Sequence, residues 1–145
     1  MITVREATEA DAQVLAELND AFNGVQRSAE KIREQVRAAE STETILLAEE
    51  LGSILGFLCF QVLESVCYDT PWVEITELYV VPTHRGHGAG RGLVEEAMRR
   101  AEEAGASELL VRTNRQNGIA QNLLARIGLE TAPQIVFRSF LRGAA

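Results

Sequence analysis

The sequence predicts an α/β domain in which one mixed β-sheet is covered by helices on both faces. Strand-like apolar runs and amphipathic helical segments follow one another in the order β-α-α-β-β-β-α-β-α-β. Two consecutive strand-like runs are joined by a short polar turn, which is typical of an antiparallel hairpin, whereas the later strands are separated by helix-length crossovers. The length of 145 residues corresponds to about one domain. We therefore expect a single domain over residues 1–145.

The N-terminal third predicts one strand followed by two helices. Residues 2–5 form the short strand, and Thr8 is suited to cap the helix that follows. Ser28 is suited to cap the second helix, after a break at Asn23-Gly24. The apolar residues at helical spacing are Val14, Leu15, Leu18 and Phe22 in the first helix and Ile32, Val36 and Ala39 in the second.

The rest of the chain alternates strands with helices. Residues 44–48 and 54–60 predict the hairpin, and residues 72–81 predict a strand that ends at Pro82, which has no N–H to donate. A helix then carries Leu93, Val94, Ala97, Met98, Ala101 and Ala104 on one face and ends before Gly105. The remaining predicted elements are a strand over residues 109–113, a helix over 119–127 that stops at Gly128, and a last strand over 135–141.

Composition and charge narrow the classes of partner. The chain is 46% hydrophobic and carries 14 basic and 21 acidic residues, a net charge of −7. This charge disfavours nucleic acid and anionic membrane surfaces, and suits a cationic partner. The first residues are polar and acidic, and no apolar run approaches the roughly 18 residues of a membrane span. We expect a cytoplasmic protein that engages neither nucleic acid nor membrane.

Neither the cysteines nor the histidines predict a metal site. Cys59 and Cys67 lie in or near strand-like sequence without CxxC spacing, so we expect reduced, buried thiols. His84 and His87 form an HxxH pair, but their loop contains no Cys, Asp or Glu to complete a ligand set.

The segment with the most chemical information is a glycine-rich loop between the strand over residues 72–81 and the next helix. Its glycines are Gly86, Gly88, Gly90 and Gly92. Glycines let backbone N–H groups turn toward a ligand, and the helix N-terminus that follows adds partial positive charge. Arg85 and Arg91 flank the loop with no acidic residue between them. The pattern favours binding of a pyrophosphate.

The glycine spacing excludes two common nucleotide motifs. A dinucleotide fingerprint requires GxGxxG, but Arg91 stands where its third glycine belongs. The mononucleotide loop GxxxxGK[ST] is also absent, because no Lys-Ser or Lys-Thr pair follows the glycines.

The spacing that is present resembles a known family. Arg85-x-x-Gly88-x-Gly90, after a strand that ends in Leu78-Tyr79-Val80-Val81-Pro82, resembles the loop of the GNAT superfamily of acyl-CoA-dependent N-acetyltransferases. The segment Asn117-x-x-Ala120 through Gly128-Leu129 resembles the family's Asn-x-x-Ala helix. The resemblance covers almost the whole chain, with its strong motifs in residues 74–129.

The resemblance implies an enzyme that transfers an acetyl group from acetyl-CoA to a primary amine of a small molecule or peptide. It implies that the pyrophosphate is held by the backbone of Arg85, Gly86, His87, Gly88, Ala89, Gly90 and Arg91. It implies that main-chain groups of Leu78, Tyr79 and Val80 pair with the pantetheine arm as an added strand. Asn117 would hold the other side of the arm. Acetyl-CoA is then the co-substrate, and no metal is required.

Such a reaction needs a carboxylate near the acetyl group to take a proton from the ammonium form of the amine. Glu74 and Glu77 are the candidates. Strand alternation places them on opposite faces unless a β-bulge intervenes, so either remains open as the base.

The sequence departs from the family at one helix position, where Leu124 replaces a tyrosine that commonly serves as the general acid. Tyr79 or water would then protonate the leaving thiolate. The same departure supports an alternative, an acyl-CoA-binding sensor module with weak or no catalysis. We also expect a homodimer, formed through residues 135–141 or through the edge near residues 68–72.

Overall fold

The computed structural model describes residues 1–38 and 42–143. Ala39, predicted to lie in the second helix, is outside the described residues. The chain forms two compact units, Met1–Asn114 and Arg115–Ala145.

The first unit contains one five-stranded mixed sheet with the strands in sequence order. The strands are β1 (Thr3–Glu6), β2 (Glu43–Glu50), β3 (Ser53–Leu63), β4 (Trp72–Val80) and β5 (Leu109–Val111). The pairs β1–β2, β2–β3 and β3–β4 are antiparallel, and β4–β5 is parallel. A type I′-like turn joins β2 to β3, since both Leu51 and Gly52 have positive φ, of 52° and 81°. The predicted class of fold, a mixed sheet with crossover helices, is confirmed.

Within residues 1–38 and 42–114, this unit contains three α-helices, each of which was predicted. They are α1 (Ala12–Asn23), α2 (Ala29–Arg37) and α3 (Ala89–Glu103). Ser28 caps α2, its hydroxyl oxygen accepting from the Lys31 N–H at 3.2 Å. Gly105 follows α3 with a φ of +75°, a left-handed conformation that glycine adopts without steric cost.

Helices cover both faces of this sheet. On the first, which we call the α1 face, Leu15 and Leu18 of α1 pack in one cluster with Leu47, Phe57 and Tyr79 of the strands. On the opposite face, which we call the α3 face, a Cβ on Gly92 of α3 would contact the Val4 side chain at 3.4 Å. The fully buried Leu46 and Leu58 alternate with the residues of the α1 face and so belong to the α3 face.

The second unit contains α4 (Gly118–Ile127). Asn117 caps it, its side-chain oxygen accepting from the Ala120 N–H at 3.1 Å. Gly128 ends it with a φ of +108°. The strand predicted over residues 135–141 is not formed: these residues have no regular secondary structure, and their apolar side chains are exposed. A strand needs a hydrogen-bonded neighbour as well as a suitable side-chain pattern.

Over residues 1–38 and 42–143, no helix is both long and apolar enough to cross a membrane.

Candidate active site

The candidate site lies where β4 separates from β5. The two strands pair only over three positions, from Val73 opposite Leu109 to Ile75 opposite Val111. Beyond Ile75, β4 continues to Val80 with β3 as its neighbour on one side. In the described parts of the chain, no strand pairs with the other edge of residues 76–80. That edge presents main-chain polar groups to an extended ligand.

A β-bulge at Thr76 controls which way the side chains of β4 point. Ile75 is opposite Phe60 and Glu77 is opposite Cys59, so one step on β3 corresponds to two steps on β4. Thr76 is the additional residue. Its hydroxyl donates to Glu43 Oε2 at 3.1 Å.

The bulge brings Glu74, Glu77 and Tyr79 to the same face. Glu74 is opposite Gln61 and Glu77 is opposite Cys59. Gln61 and Cys59 are two residues apart on β3 and share a face, which for Cys59 is the α1 face. The regular alternation that would have separated the two glutamates therefore does not hold, and both carboxylates can serve one site.

The two carboxylates have different partners. Glu77 Oε2 accepts from the side-chain amide of Asn23 at 3.4 Å, which is a neutral donor. Glu74 lies 3.8 Å from the guanidinium of Arg112. Glu74 therefore faces a positive charge, whereas within residues 1–38 and 42–143 Glu77 forms no ion pair.

Cys59 lies opposite Glu77 but is not a candidate nucleophile. Its side chain is buried. Burial raises the pKa of the Cys59 thiol above its usual range, and the carboxylates of Glu43 and Glu77 raise this pKa further. The thiol therefore stays protonated near neutral pH.

Tyr79 is held by packing on its ring. The ring stacks on Phe22 of α1, with centroids 4.9 Å apart and an interplanar angle of 26°. The guanidinium carbon of Arg85 lies 5.8 Å from the ring centroid, and Arg85 Nε donates to the Val80 carbonyl at 3.0 Å. Arg85 is thereby fixed to the end of β4.

The glycine-rich loop joins this end of β4 to the start of α3. Gly86 and Gly88 have φ of +83° and +96°, and a Cβ on either would meet no atom within 4 Å. Gly88 is the N-cap of α3 and has no side chain that could bond the N–H groups of the first turn. The first intrahelical bond runs from Gly92 N–H to the Gly88 carbonyl at 2.9 Å. The N–H groups of Ala89, Gly90 and Arg91 precede that bond and are suited to an anion.

Other predicted residues of the loop have local partners. Arg91 forms an ion pair with Glu95, one helical turn later, at 3.2 Å. His84 Nδ1 lies 3.0 Å from the Thr83 hydroxyl. No cluster of three or more His, Cys, Asp or Glu suited to a metal ion occurs in the part of the chain that the structure describes.

In the second unit, Asn117 and Leu124 are both structural in α4. Asn117 caps the helix, and Leu124 is buried. Cys67, predicted to be buried, is exposed, because it lies in the loop between β3 and β4 instead of in a strand.

Sequence reasoning missed three residues that line the α1 face near the bulge: Asn23, Glu43 and Arg112. Asn23 stood out only as the residue before a helix-breaking glycine. Glu43 lies opposite Gln61 in the register of β2 against β3, and Arg112 directly follows β5, so both depend on strand pairing that periodicity along one segment does not reveal.

Comparisons with known proteins identify the family of the chain. The sequence profile described as the Acetyltransferase (GNAT) family matches residues 12–129. The uncharacterized N-acetyltransferase YhfO of Bacillus subtilis (strain 168) is 29% identical over 135 residues, covering 89% of this chain and 90% of that protein. The uncharacterized N-acetyltransferase CT2212 of Chlorobaculum tepidum is 29% identical over 139 residues, covering 93% of this chain and 83% of that protein.

Solved structures share the fold at lower identity. A ribosomal-protein-alanine N-acetyltransferase from Brucella melitensis biovar Abortus 2308 aligns with a TM-score of 0.81 and 19% identity, covering 97% of this chain and all of that one. AAC(6')-Iy, in complex with the bisubstrate analog CoA-S-monomethyl-acetylneamine, aligns with a TM-score of 0.82 and 20% identity, covering 97% and 99%. Because the profile matches most of the chain, residues 12–129, the chain belongs to the GNAT family of acetyltransferases.

Proposed function

We propose that the protein transfers the acetyl group of acetyl-CoA directly to a primary amine, with Glu77 as the general base. The observation that carries the proposal is the juxtaposition at the end of β4. There the Thr76 bulge, the open strand edge and the start of α3 follow one another within sixteen residues of chain, from Glu74 to Ala89. The proposal assigns the activity to one domain spanning residues 1–145.

The loop fits the anionic part of the donor. A pyrophosphate requires several N–H donors, positive charge and room for close approach. Gly86 and Gly88 leave that room, since neither bears a Cβ and the space around each is open. We assign the pyrophosphate to the backbone of residues 85–91, with Arg85 and Arg91 supplying charge.

The open edge of β4 fits the extended arm of the donor. We assign the arm to main-chain groups of Leu78, Tyr79 and Val80, which would hold it as an added strand. The Val80 carbonyl already accepts a hydrogen bond from Arg85 Nε. We therefore expect the main-chain groups of Leu78 to form most of the hydrogen bonds to the arm. The role of Asn117 in holding the arm stays a prediction from the resemblance.

Glu77 suits the base better than Glu74. Acetyl-CoA supplies an acetyl thioester, whose carbonyl carbon forms a bond to the amine nitrogen while its bond to sulfur breaks. The carboxylate must first take a proton from the ammonium form of the amine. Glu77 has a neutral hydrogen-bond donor, whereas Glu74 faces the guanidinium of Arg112. The protonated Cys59 thiol favours this direct route over an acetyl-cysteine route.

The departing thiolate takes its proton from Tyr79 or from water in this proposal, since Leu124 has no proton to give, and the second proton that the amine nitrogen loses as the amide forms restores that donor. The acceptor is an amine that is cationic in solution, which agrees with the net charge of −7. Because the donor is an intracellular metabolite, the proposal includes a cytoplasmic location.

We also propose that the protein forms a homodimer through residues 135–141. This segment exposes Ile135, Val136, Phe137, Phe140 and Leu141. Five large apolar side chains within seven residues form the kind of surface that marks a protein contact. A sedimentation mass near that of one chain would contradict the dimer.

The test of the function begins with thermal unfolding in the presence of acetyl-CoA, CoA, NAD or ATP. A ligand that binds only the native state at 100 times its Kd adds about 2.7 kcal/mol, which for a chain of this size raises Tm by roughly 9 °C. Acetyl-CoA and CoA should raise Tm, and NAD and ATP should not. A panel of polyamines, aminoglycosides, lysine and peptides with a free N-terminus is then screened by thiol release.

The alternative is an acyl-CoA-binding sensor, which is favoured by the aliphatic Leu124 at the position of the usual acid. It predicts the same shifts in Tm without thiol release for any amine. The absence of a shift with either CoA species would contradict both functions.

A further inference from the structure

The last turn of α1 is attached to β4 at two adjacent points. Phe22 stacks on Tyr79, and Asn23 bonds Glu77. Tyr79 and Glu77 are two residues apart and share the α1 face, so α1 contacts both with consecutive residues. Immediately afterwards the helix ends at Gly24, whose φ is +66°.

Asn23 is itself held by a second amide. Its Nδ2 donates to Asn19 Oδ1 at 2.8 Å, and Asn19 Nδ2 donates to the main-chain carbonyl of Val25 at 3.0 Å. The series therefore runs from the Val25 carbonyl through Asn19 and Asn23 to the Glu77 carboxylate.

The chemistry of the two ends fixes the direction of every hydrogen bond in between. A main-chain carbonyl only accepts, so Asn19 must turn its nitrogen toward Val25 and its oxygen toward Asn23. Asn23 must then present its nitrogen, which has two hydrogens. One goes to Asn19 and the other is available to Glu77. A flipped amide at either residue would place oxygen against oxygen.

We propose that Asn23, oriented by Asn19, is a positioning residue that holds Oε2 of Glu77 and leaves Oε1 to take the proton from the amine. This inference rests on the proposed function, because it gives Asn23 a role through the base. A neutral donor suits that role, since it orients the carboxylate without neutralising it.

The test compares Asn23→Ala and Asn23→Asp with wild type in thiol-release kinetics, using the amine of the panel that turns over fastest. Asn23→Asp keeps the shape of the side chain and removes the N–H. Both variants should lower kcat about tenfold or more, with KM for acetyl-CoA within about twofold of wild type. The control is Gln13→Ala, which removes another amide–carboxylate bond of α1, from Gln13 to Glu17 at 3.1 Å. It should leave kcat unchanged.

A double-mutant comparison separates positioning from stability. In a Glu77→Gln background, Asn23→Ala should cause no further loss of kcat, because the group that it positions is already gone. A full additional tenfold loss would overturn the positioning role. If both Asn23 variants keep the wild-type kcat while Glu77→Gln is inactive, the positioning role of Asn23 is wrong, but Glu77 remains the base. Wild-type kcat in Glu77→Gln would remove the base and the positioning role together.

A readout without any amine substrate tests the bond itself. The side-chain amide signals of Asn23 in a ¹⁵N–¹H NMR spectrum, assigned by their loss in Asn23→Asp, should shift in Glu77→Ala. The side-chain amide of Gln13 should not shift. Unchanged Asn23 signals would show that the bond to Glu77 is not formed, and would overturn the proposal.

Discussion

Gly56 and Tyr79 approach each other across β3 and β4 so closely that a side chain on Gly56 would have no space. A Cβ there would lie 2.4 Å from the Tyr79 carbonyl oxygen and 3.1 Å from the Cα of Val80. Both are backbone atoms, which cannot rotate away. Because Leu78, Tyr79 and Val80 form the open edge proposed to hold the donor, the backbone of β3 at Gly56 helps to set the position of that edge.

Gly56→Ala should therefore destabilise the fold. Relief of the clash requires β3 and β4 to move apart, at a cost of about 1–3 kcal/mol in the free energy of unfolding. Urea unfolding measures this difference. Gly118→Ala is the matched control, since a Cβ on Gly118 meets nothing within 4 Å. Equal stability of Gly56→Ala and wild type would mean that the strands adjust freely.

The two glutamates should differ in their effect on turnover. Glu77→Gln should lower kcat about a hundredfold or more, because it removes the proposed base while keeping the size of the side chain. Glu74→Gln should lower it by less than about tenfold, because that carboxylate already faces Arg112. Thiol-release assays measure both. The reverse ranking would assign the base to Glu74.

Gly88→Ala should weaken binding of acetyl-CoA, because its Cβ projects into the space assigned to the pyrophosphate. Its φ of +96° also strains any other residue, by about 1–2 kcal/mol. Gly105→Ala is the matched control. Gly105 has a φ of +75° and equally open surroundings, but it follows α3 instead of preceding it.

Both variants should lose similar stability, and only Gly88→Ala should lose most of the rise in Tm caused by acetyl-CoA. If Gly88→Ala and Gly105→Ala lose the same part of the acetyl-CoA-dependent rise in Tm, the loss is due to backbone strain. If Gly88→Ala keeps the full rise, the pyrophosphate binds elsewhere.

Asp11 should make stability depend on pH. Arg5 donates to both of its carboxylate oxygens at 2.9 Å, and Thr8 N–H donates to Oδ2 at 2.7 Å. The bonds from Arg5, and then the one from Thr8, hold the pKa of the Asp11 carboxyl below its usual range. The ionised Asp11 carboxylate therefore contributes its full share to the free energy of unfolding above the unfolded-state pKa of about 3.9. This contribution is lost as the pH falls through the lower pKa of the folded state.

Asp11→Asn should lower the free energy of unfolding by about 1–3 kcal/mol at pH 7. Urea unfolding from pH 7 to pH 3 should show a constant difference from wild type down to about pH 5, which then shrinks below about pH 4. A difference that does not change with pH would assign the loss to packing instead of charge.

Local signals in the sequence predicted most of the elements. Ser28 and Gly128 act within one helical turn of themselves, so the helix ends that they form could be predicted from neighbouring residues. The glycine loop and the helix after it were also predicted from local signals, but α3 begins at Ala89, so Gly90 and Gly92, which were predicted to lie in the loop, lie in the first turn of the helix instead.

The remaining features depend on partners distant in sequence. The bulge at Thr76 exists only in the register of β4 against β3, so alternation along β4 alone placed Glu74 and Glu77 on opposite faces. The apolar pattern of residues 135–141 is that of a strand, but whether a strand forms depends on a neighbour to pair with. The identity of Glu77's neighbours, Asn23 and Cys59, could not be predicted for the same reason.

The bulge gives the chain an unusual tolerance to deletion at one position. Without Thr76, Ile75 and Glu77 become adjacent, and a regular strand already places adjacent residues on opposite faces, as they are now. Every side chain of β4 would keep its face, while the bend that accompanies the bulge would disappear. A straightened β4 would stay alongside β5 for longer. Deletion of Thr76 alone would therefore be expected to narrow the open edge of β4 to which we assign the donor.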